Sequence, residues 1–468
     1  MAIVGVTFAI PISIAIYCGE PEVLLSFIIP MILSFVFFLS VYIPFRKVKF
    51  RLSIRQTFAI VALCWITASF MGAMPLYFSG TFPSFTDAFF ESVSGFTTTG
   101  CSVCPSVEDL PRSINMWRCL THWLGGMGIV TLTVALLPLL GIGGFRLIKA
   151  ETTGPEKGKV TARITTTAKI LWLIYASLTL IEAILLRICG MDTIDAFAHA
   201  FSTLGTGGFS SRNASIGAWN SPAIDYVITI FMLLSGVNFS LFYYLIARKV
   251  SDIFSNSEFR YYIGIVICSV TIVVLCLIPY FNNFGDSFRY GIFQVASIVT
   301  TTGFGTNDYI LWPSSAQFIL FLLFFIGGSS GSTSGGIKVI RWVVLGKQVH
   351  NETEKMLHPH GVFSIRLDGR PGRKDIVFNV AAFLMLYIAL LMITTFIGTF
   401  GKLDIFTSFT AAASMVGNIG PAFGSLGPTE SFSVLPNFLK WWYCFAMLAG
   451  RLELYTMLIF FFPSYWKK

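Results

Sequence analysis

The sequence predicts an all-α polytopic membrane protein, in which two N-terminal transmembrane helices precede four covalent repeats of helix, re-entrant segment and helix. Three observations carry this reading. Long apolar runs recur along the whole chain of 468 residues. Four short segments rich in Gly, Thr and Ser lie between runs at one repeated spacing. Lys and Arg gather on alternate connections.

The apolar runs fall near 2–18, 22–44, 56–79, 115–140, 167–189, 222–247, 260–281, 315–345, 376–399 and 438–462. Each is close to the roughly 20 residues a helix needs to cross the hydrocarbon. Charged residues make up 12% of the chain, against about 25% in soluble proteins. Mean hydropathy is +0.75. This excludes a soluble enzyme, a disordered chain and a nucleic-acid binder. The first run has no basic residues before it and no small-residue cleavage site, so it reads as a retained span.

The segments between spans two and three, four and five, six and seven, eight and nine, and the tail hold 24 of the 32 Lys and Arg residues. By the positive-inside rule these segments, and both termini, are cytoplasmic. The net charge of +9 therefore reads as topology rather than as a nucleic-acid partner.

The opposite connections align with one another. They read Asp87-AFFESVSGFTTT-Gly100, Asp195-AFAHAFSTLGTG-Gly208, Tyr290-GIFQVASIVTTT-Gly303 and Asp404-IFTSFTAAASMV-Gly417. A single copy would read as a surface loop. Four at equal spacing read as re-entrant helices, with Asp87, Asp195 and Asp404 expected as N-caps. Irregular backbone at membrane depth is tolerated only when it is buried in protein or lines a watery cavity. Four such turns around one central pore would set their carbonyls in a ring that replaces the hydration shell of a cation.

Two further features break the apolar rule. The segment 327–336 holds five glycines (Gly327, Gly328, Gly331, Gly335, Gly336), and its other five residues are Ser or Thr. Each Gly costs about 1 kcal/mol against Ala in a helix, so the eighth span is expected to break here. Ile337 follows, where a phosphate-binding loop needs Lys and Ser/Thr. A close helix-packing motif is the other reading. The loop is expected to block the pore below the filter and to move easily, having no regular hydrogen-bond ladder. Arg451 lies too deep in the last span to snorkel, and Glu453 at i+2 faces away on a helix. No Ser/His/Asp or Cys/His constellation is visible, so no enzyme activity is expected. Cys101 and Cys104 have no further ligands nearby for a metal.

These motifs resemble the Trk/Ktr/HKT superfamily of potassium transporters, most closely its prokaryotic TrkH-type pore-forming subunit. The resemblance rests on Gly95-FTTTG-Cys101, Thr121-HWLGGMGIV-Val130, Phe201-STLGTGGFS-Ser211, Phe325-IGGSSGSTSGGIKV-Ile340, Gly417-NIGPAFG-Gly424 and Gly450-RLELYT-Met457, with Ala150-ETTGP-Glu156 and His358-PHGV-Phe363 between them. It implies K⁺ uptake across the cytoplasmic membrane of a prokaryote, with a coupled K⁺/H⁺ or K⁺/Na⁺ carrier as the alternative. It implies a homodimer, a separate cytosolic nucleotide-binding (RCK-type) regulatory subunit, and no cofactor besides K⁺ as the transported ion. The implied filter residues are Thr98, Thr99, Gly100, Gly207, Gly208, Thr301, Thr302, Gly303, Val416, Gly417 and Asn418. Gly100, where a Ser would point to Na⁺, favours K⁺. The implied gate comprises the five loop glycines, Lys338 and Arg451. The expected division is a helix pair over 1–50 and pore repeats over 51–150, 151–250, 251–350 and 351–468. The basic residues between 338 and 374 are the expected docking surface for the regulatory subunit.

Overall fold

The computed structural model describes residues 1–46, 53–140, 157–361, 363–368, 370–371 and 375–467. Lys47, Lys49, Arg51, Arg146, Lys149, Arg373 and Lys374 lie outside this set, as do the stretch 150–156 and the expected boundaries at 50/51 and 150/151. The described chain is almost wholly helical. Its strands are Arg366–Leu367 and Arg370–Pro371, paired antiparallel.

Among the described residues, five helices are long and apolar enough to cross a membrane: Pro21–Phe45, Arg55–Phe78, Thr167–Ile188, Ser257–Phe281 and Ile376–Phe400. Two more candidates are bent. Pro222–Ser235 meets Phe239–Ile246 at 96°, and Asn437–Arg451 meets Tyr455–Phe461 at 120°. The sixth and tenth expected spans are therefore bent rather than straight. The first run is split into Ala2–Thr7 and Ala9–Cys18. The run near 315–345 becomes Ser314–Leu323 and Val339–Leu357, with the glycine segment non-helical between them. The bend after Arg451 carries two consecutive left-handed residues, Glu453 (φ 61°) and Leu454 (φ 55°), which no continuing helix can hold.

Polarity is inverted relative to a soluble fold. Leu63, Leu173, Leu275 and Phe378 are exposed on the long helices, while Glu91, Arg118, Glu182, Asp225 and Arg451 are buried. An apolar rim around a core that also buries charged groups suits a bilayer as solvent.

Four short helices occupy the centre: Phe85–Phe96, Thr193–Gly205, Phe284–Val299 and Ile405–Gly417. Each starts on a side chain that accepts a first-turn N–H: Ser84 from Asp87, Asp192 from Ile194, Asn283 from Gly285 and Asp404 from Thr407. Asp404 is thus the expected cap. Asp87 and Asp195 instead stand three residues inside, where Asp87 takes Lys440 Nζ at 2.6 Å and Asp195 accepts from Ser211 Oγ at 2.8 Å. Tyr290 lies in the second turn of its helix, not at the start. Each short helix packs against the long helices on both sides of it in sequence, except that the third meets only the short Ser314–Leu323 on its far side. The last long helix, Asn437–Arg451, returns to pack on Phe85–Phe96.

Asp225, in the first turn of Pro222–Ser235, holds Arg289 Nε at 2.6 Å, and both are buried. Removing one partner of a buried pair leaves the other charge uncompensated. Asp225→Ala is expected to cost about 3–5 kcal/mol of stability, read as a clear fall in the melting temperature of the detergent-solubilised protein.

Candidate functional site

Each short helix ends in the same way. The residue after the last turn is left-handed although it is not Gly: Thr98 (φ 53°), Thr206 (54°), Thr301 (55°) and Asn418 (53°). Its N–H bonds three residues back, to Gly95, Thr203, Ile298 and Met415. The next N–H reaches five residues back, from Thr99 to Ser94, Gly207 to Ser202, Thr302 to Ser297 and Ile419 to Ser414, at 2.8–3.0 Å. This is the Schellman helix stop, which normally has Gly at the left-handed position. A β-branched residue there costs about 1–2 kcal/mol. In the first and third turns, hydroxyl pairs brace it: Thr97 with Thr99 at 2.8 Å and Thr300 with Thr302 at 2.7 Å.

Two residues after each left-handed Thr or Asn comes a left-handed Gly: Gly100 (φ 84°), Gly208 (81°), Gly303 (83°) and Gly420 (106°). These four pack in a cycle. A Cβ on Gly100 would lie 2.0 Å from the Gly207 carbonyl oxygen, one on Gly208 2.1 Å from that of Thr302, one on Gly303 2.2 Å from that of Ile419, and one on Gly420 2.7 Å from that of Thr99. First meets second, second third, third fourth, and fourth first. Only Gly fits, for backbone angle and for space.

This register corrects the fourth segment. Gly417 is the last residue of its helix and Val416 lies within it, so neither corresponds to the turn residues of the other three segments. The matching residues are Asn418, Ile419 and Gly420. Aligning Asp404 with Asp87 and Asp195 shifted the fourth segment by three, because Asp404 is the cap itself. Starting from Thr407 restores the common spacing to Gly420. Thr206, Ile419 and Gly420 were missed. The signal available for Gly420 was its place two residues after Asn418. The remaining expected residues, Thr98, Thr99, Gly100, Gly207, Gly208, Thr301, Thr302 and Gly303, all lie in the turns.

The glycine segment sits against this ring. Gly335 N donates to Thr301 Oγ1 at 2.6 Å, and a Cβ on Gly335 would lie 2.4 Å from the Gly417 carbonyl oxygen. Its neck is closed by Gly327 N to Ile337 O (2.9 Å) and Val339 N to Gly328 O (3.2 Å). Arg451, 3% exposed, donates from Nη1 to Thr333 O at 2.7 Å. Lys338 donates to Ser334 O. The expected gate residues are therefore brought together. The segment is nonetheless less free than a loop without a ladder. Ser329 N donates to Gly236 O (2.8 Å), Phe239 N to Gly331 O (3.1 Å), and Glu258 Oε1 accepts from Ser330 N (2.6 Å) and Ile340 N (3.2 Å). Against the segment lies a cavity of about 480 Å³ lined by Lys338, Arg341, Arg451, Glu453 and apolar side chains including Phe383. Glu453 pairs with Arg341 rather than with Arg451.

Residues 25–468 match the family model TrkH, described as cation transport protein. The chain is 40% identical over 435 residues to the Trk system potassium uptake protein TrkH of Salmonella typhimurium, covering 91% of this chain and 89% of that one. It is 36% identical to the protein of the same name from Vibrio parahaemolyticus, covering 100% and 97%. The crystal structure of the potassium transporter TrkH from Vibrio parahaemolyticus superposes with a TM-score of 0.90 at 34% identity, over 100% of this chain and 97% of that one.

The corrected register is testable by folding. Gly420→Ala meets a backbone oxygen at a left-handed position and is expected to destabilise severely, by about 2 kcal/mol or more. Gly417→Ala meets movable atoms of Ile419 and the Tyr387 hydroxyl at 3.2–3.4 Å and is expected to be mild. Melting temperatures of the two purified variants in detergent decide between them.

Proposed function

Because the chain belongs to the TrkH family of cation transport proteins, we propose that it takes up K⁺ across the cytoplasmic membrane of a prokaryote through one filter-bearing pore. The observation that supports this most is the cyclic packing of Gly100, Gly208, Gly303 and Gly420. Segments 51–150, 151–250, 251–350 and 351–468 each supply one turn, and lysine and arginine placement keeps both termini inside.

The chemistry is electrostatic. A cation entering the ring exchanges water for carbonyl oxygens of Thr98, Thr99, Gly207, Thr301, Thr302, Asn418 and their neighbours Thr206 and Ile419. The four short helices all end at this ring, so their negative dipole ends favour a cation there. Gly100 in place of Ser favours K⁺ over Na⁺.

Under the filter, the glycine segment obstructs the path and Arg451 adds a buried positive charge to it. The Arg451 bond to Thr333 O ties the two into one gate. Opening requires this bond and the ties to Gly236 and Glu258 to be exchanged for others. A cytosolic nucleotide-binding subunit biases that exchange, and the protein works as a homodimer. Lys338 and Arg341 are buried, so the docking surface is narrower than the whole basic stretch and falls to exposed residues such as Lys355.

Purified protein in liposomes is expected to pass K⁺ faster than Na⁺ down imposed gradients without obligatory movement of a second ion. Arg451→Ala is expected to raise K⁺ flux several-fold, since it removes a buried positive charge that repels a cation on the path. Unchanged flux and unchanged closed-state leak in that variant would remove Arg451 from the gate.

A further inference from the structure

Just outside the glycine ring, each turn is tied to the next at an equivalent carbonyl, two residues beyond the Gly. From the second to the third turn, Gly217 N donates to Gly305 O at 3.2 Å. From the third to the fourth, the Tyr309 hydroxyl donates to Ala422 O at 2.7 Å. From the fourth back to the first, Phe432 N donates to Ser102 O at 2.9 Å. All three donors are neutral. From the first to the second, the donor to Ser210 O is Arg118 Nη1, at 3.4 Å. The same guanidinium lies 4.3 Å from the centre of the Phe209 ring.

Arg118 is 2% exposed and Glu91 1%. A guanidinium buried this deeply needs a counter-charge, and Glu91 supplies it at 2.7 Å and 2.8 Å. The carboxylate is not spent on Arg118 alone. Oε1 also accepts from Ser102 Oγ at 2.9 Å, and Oε2 accepts from Val103 N at 2.9 Å. Arg118 Nη2 contacts Ser102 Oγ at 3.1 Å, and Nη1 is oriented by Asn115 Oδ1 at 2.9 Å. One ion pair thus grips the backbone just after Gly100 and reaches the backbone just after Gly208.

We propose that Glu91 and Arg118 are positioning residues for ion selectivity, setting the separation of the first and second filter turns. This rests on the pore reading above. Glu91 holds the first turn through charge-assisted hydrogen bonds, about twice as strong as neutral ones, and the same ion pair reaches the second turn at Ser210 O over 3.4 Å, the longest of the four links. A ring held at fixed width cannot close around a smaller ion, and Na⁺ is then left incompletely coordinated. Neither side chain touches the ion. Both act through the backbone of residues 102–103 and 210.

The test measures K⁺ and Na⁺ flux separately in liposomes for wild type, Glu91→Gln and Ser102→Ala. Glu91→Gln keeps the shape and removes the charge. Its K⁺/Na⁺ ratio is expected to fall about tenfold, the effect of losing one charged hydrogen bond. Ser102→Ala leaves the ion pair in place and removes its hydroxyl link to the first turn, together with the local bond from Cys104 N at 3.1 Å. Its ratio is expected to fall by about threefold, and this variant carries the test if Glu91→Gln does not fold. A purely structural pair would lower the melting temperature and both fluxes together and leave the ratio unchanged, which overturns the proposal. Wild-type protein that passes neither ion would instead overturn the pore reading itself.

Discussion

The structure is organised by contact between left-handed glycines and neighbouring carbonyls. Each of Gly100, Gly208, Gly303 and Gly420 lies so close to an oxygen of the next turn that no side chain fits between them. The contact brings four separate stretches of one chain edge to edge. Everything around it makes that approach possible. Gly125 lets the helix Arg112–Leu140 come up to the end of the first short helix, since a Cβ there would lie 1.9 Å from the Phe96 carbonyl oxygen. The same logic brings Gly450 against Val416 O, which sets the adjacent Arg451 beneath the ring.

A ring of irregular backbone buried in the protein has to satisfy its polar groups from within. It does so in two shells. The helix-stop hydrogen bonds hold each turn to its own helix, and the bonds at residues 102, 210, 305 and 422 hold each turn to its neighbour. The buried ion pairs Glu91–Arg118, Asp225–Arg289 and Asp87–Lys440 lie around the short helices. Such pairs add little net stability over apolar packing, but breaking one is costly. They specify an arrangement more than they strengthen it.

The glycine segment solves a different problem. Five glycines remove the helix, yet the segment is tied to the bend at 236–238, to Glu258 and to Arg451. It is a broken helix held in place by bonds to three separate parts of the chain. The acceptor Glu258 and the Arg341–Glu453 pair had no local pattern to reveal them. Their partners lie 72 to 112 residues away in the chain.

Much of this was legible in the chain itself. The membrane class follows from composition, the break at 327–336 from glycine content, and three of the four turns from spacing. Each is a local property, and helix propensity and left-handed backbone act within a few residues. The fourth turn was misplaced by three positions because an Asp that caps a helix and an Asp in its first turn look alike in sequence. Only the hydrogen bonds of the fold distinguish Asp404 from Asp87. The bends after Ser235 and Arg451, the cyclic order of the turns and the partners of Glu91, Glu258 and Glu453 were likewise decided by tertiary structure. Those contacts join residues far apart in the chain, and no local preference encodes which distant group will be there to meet them.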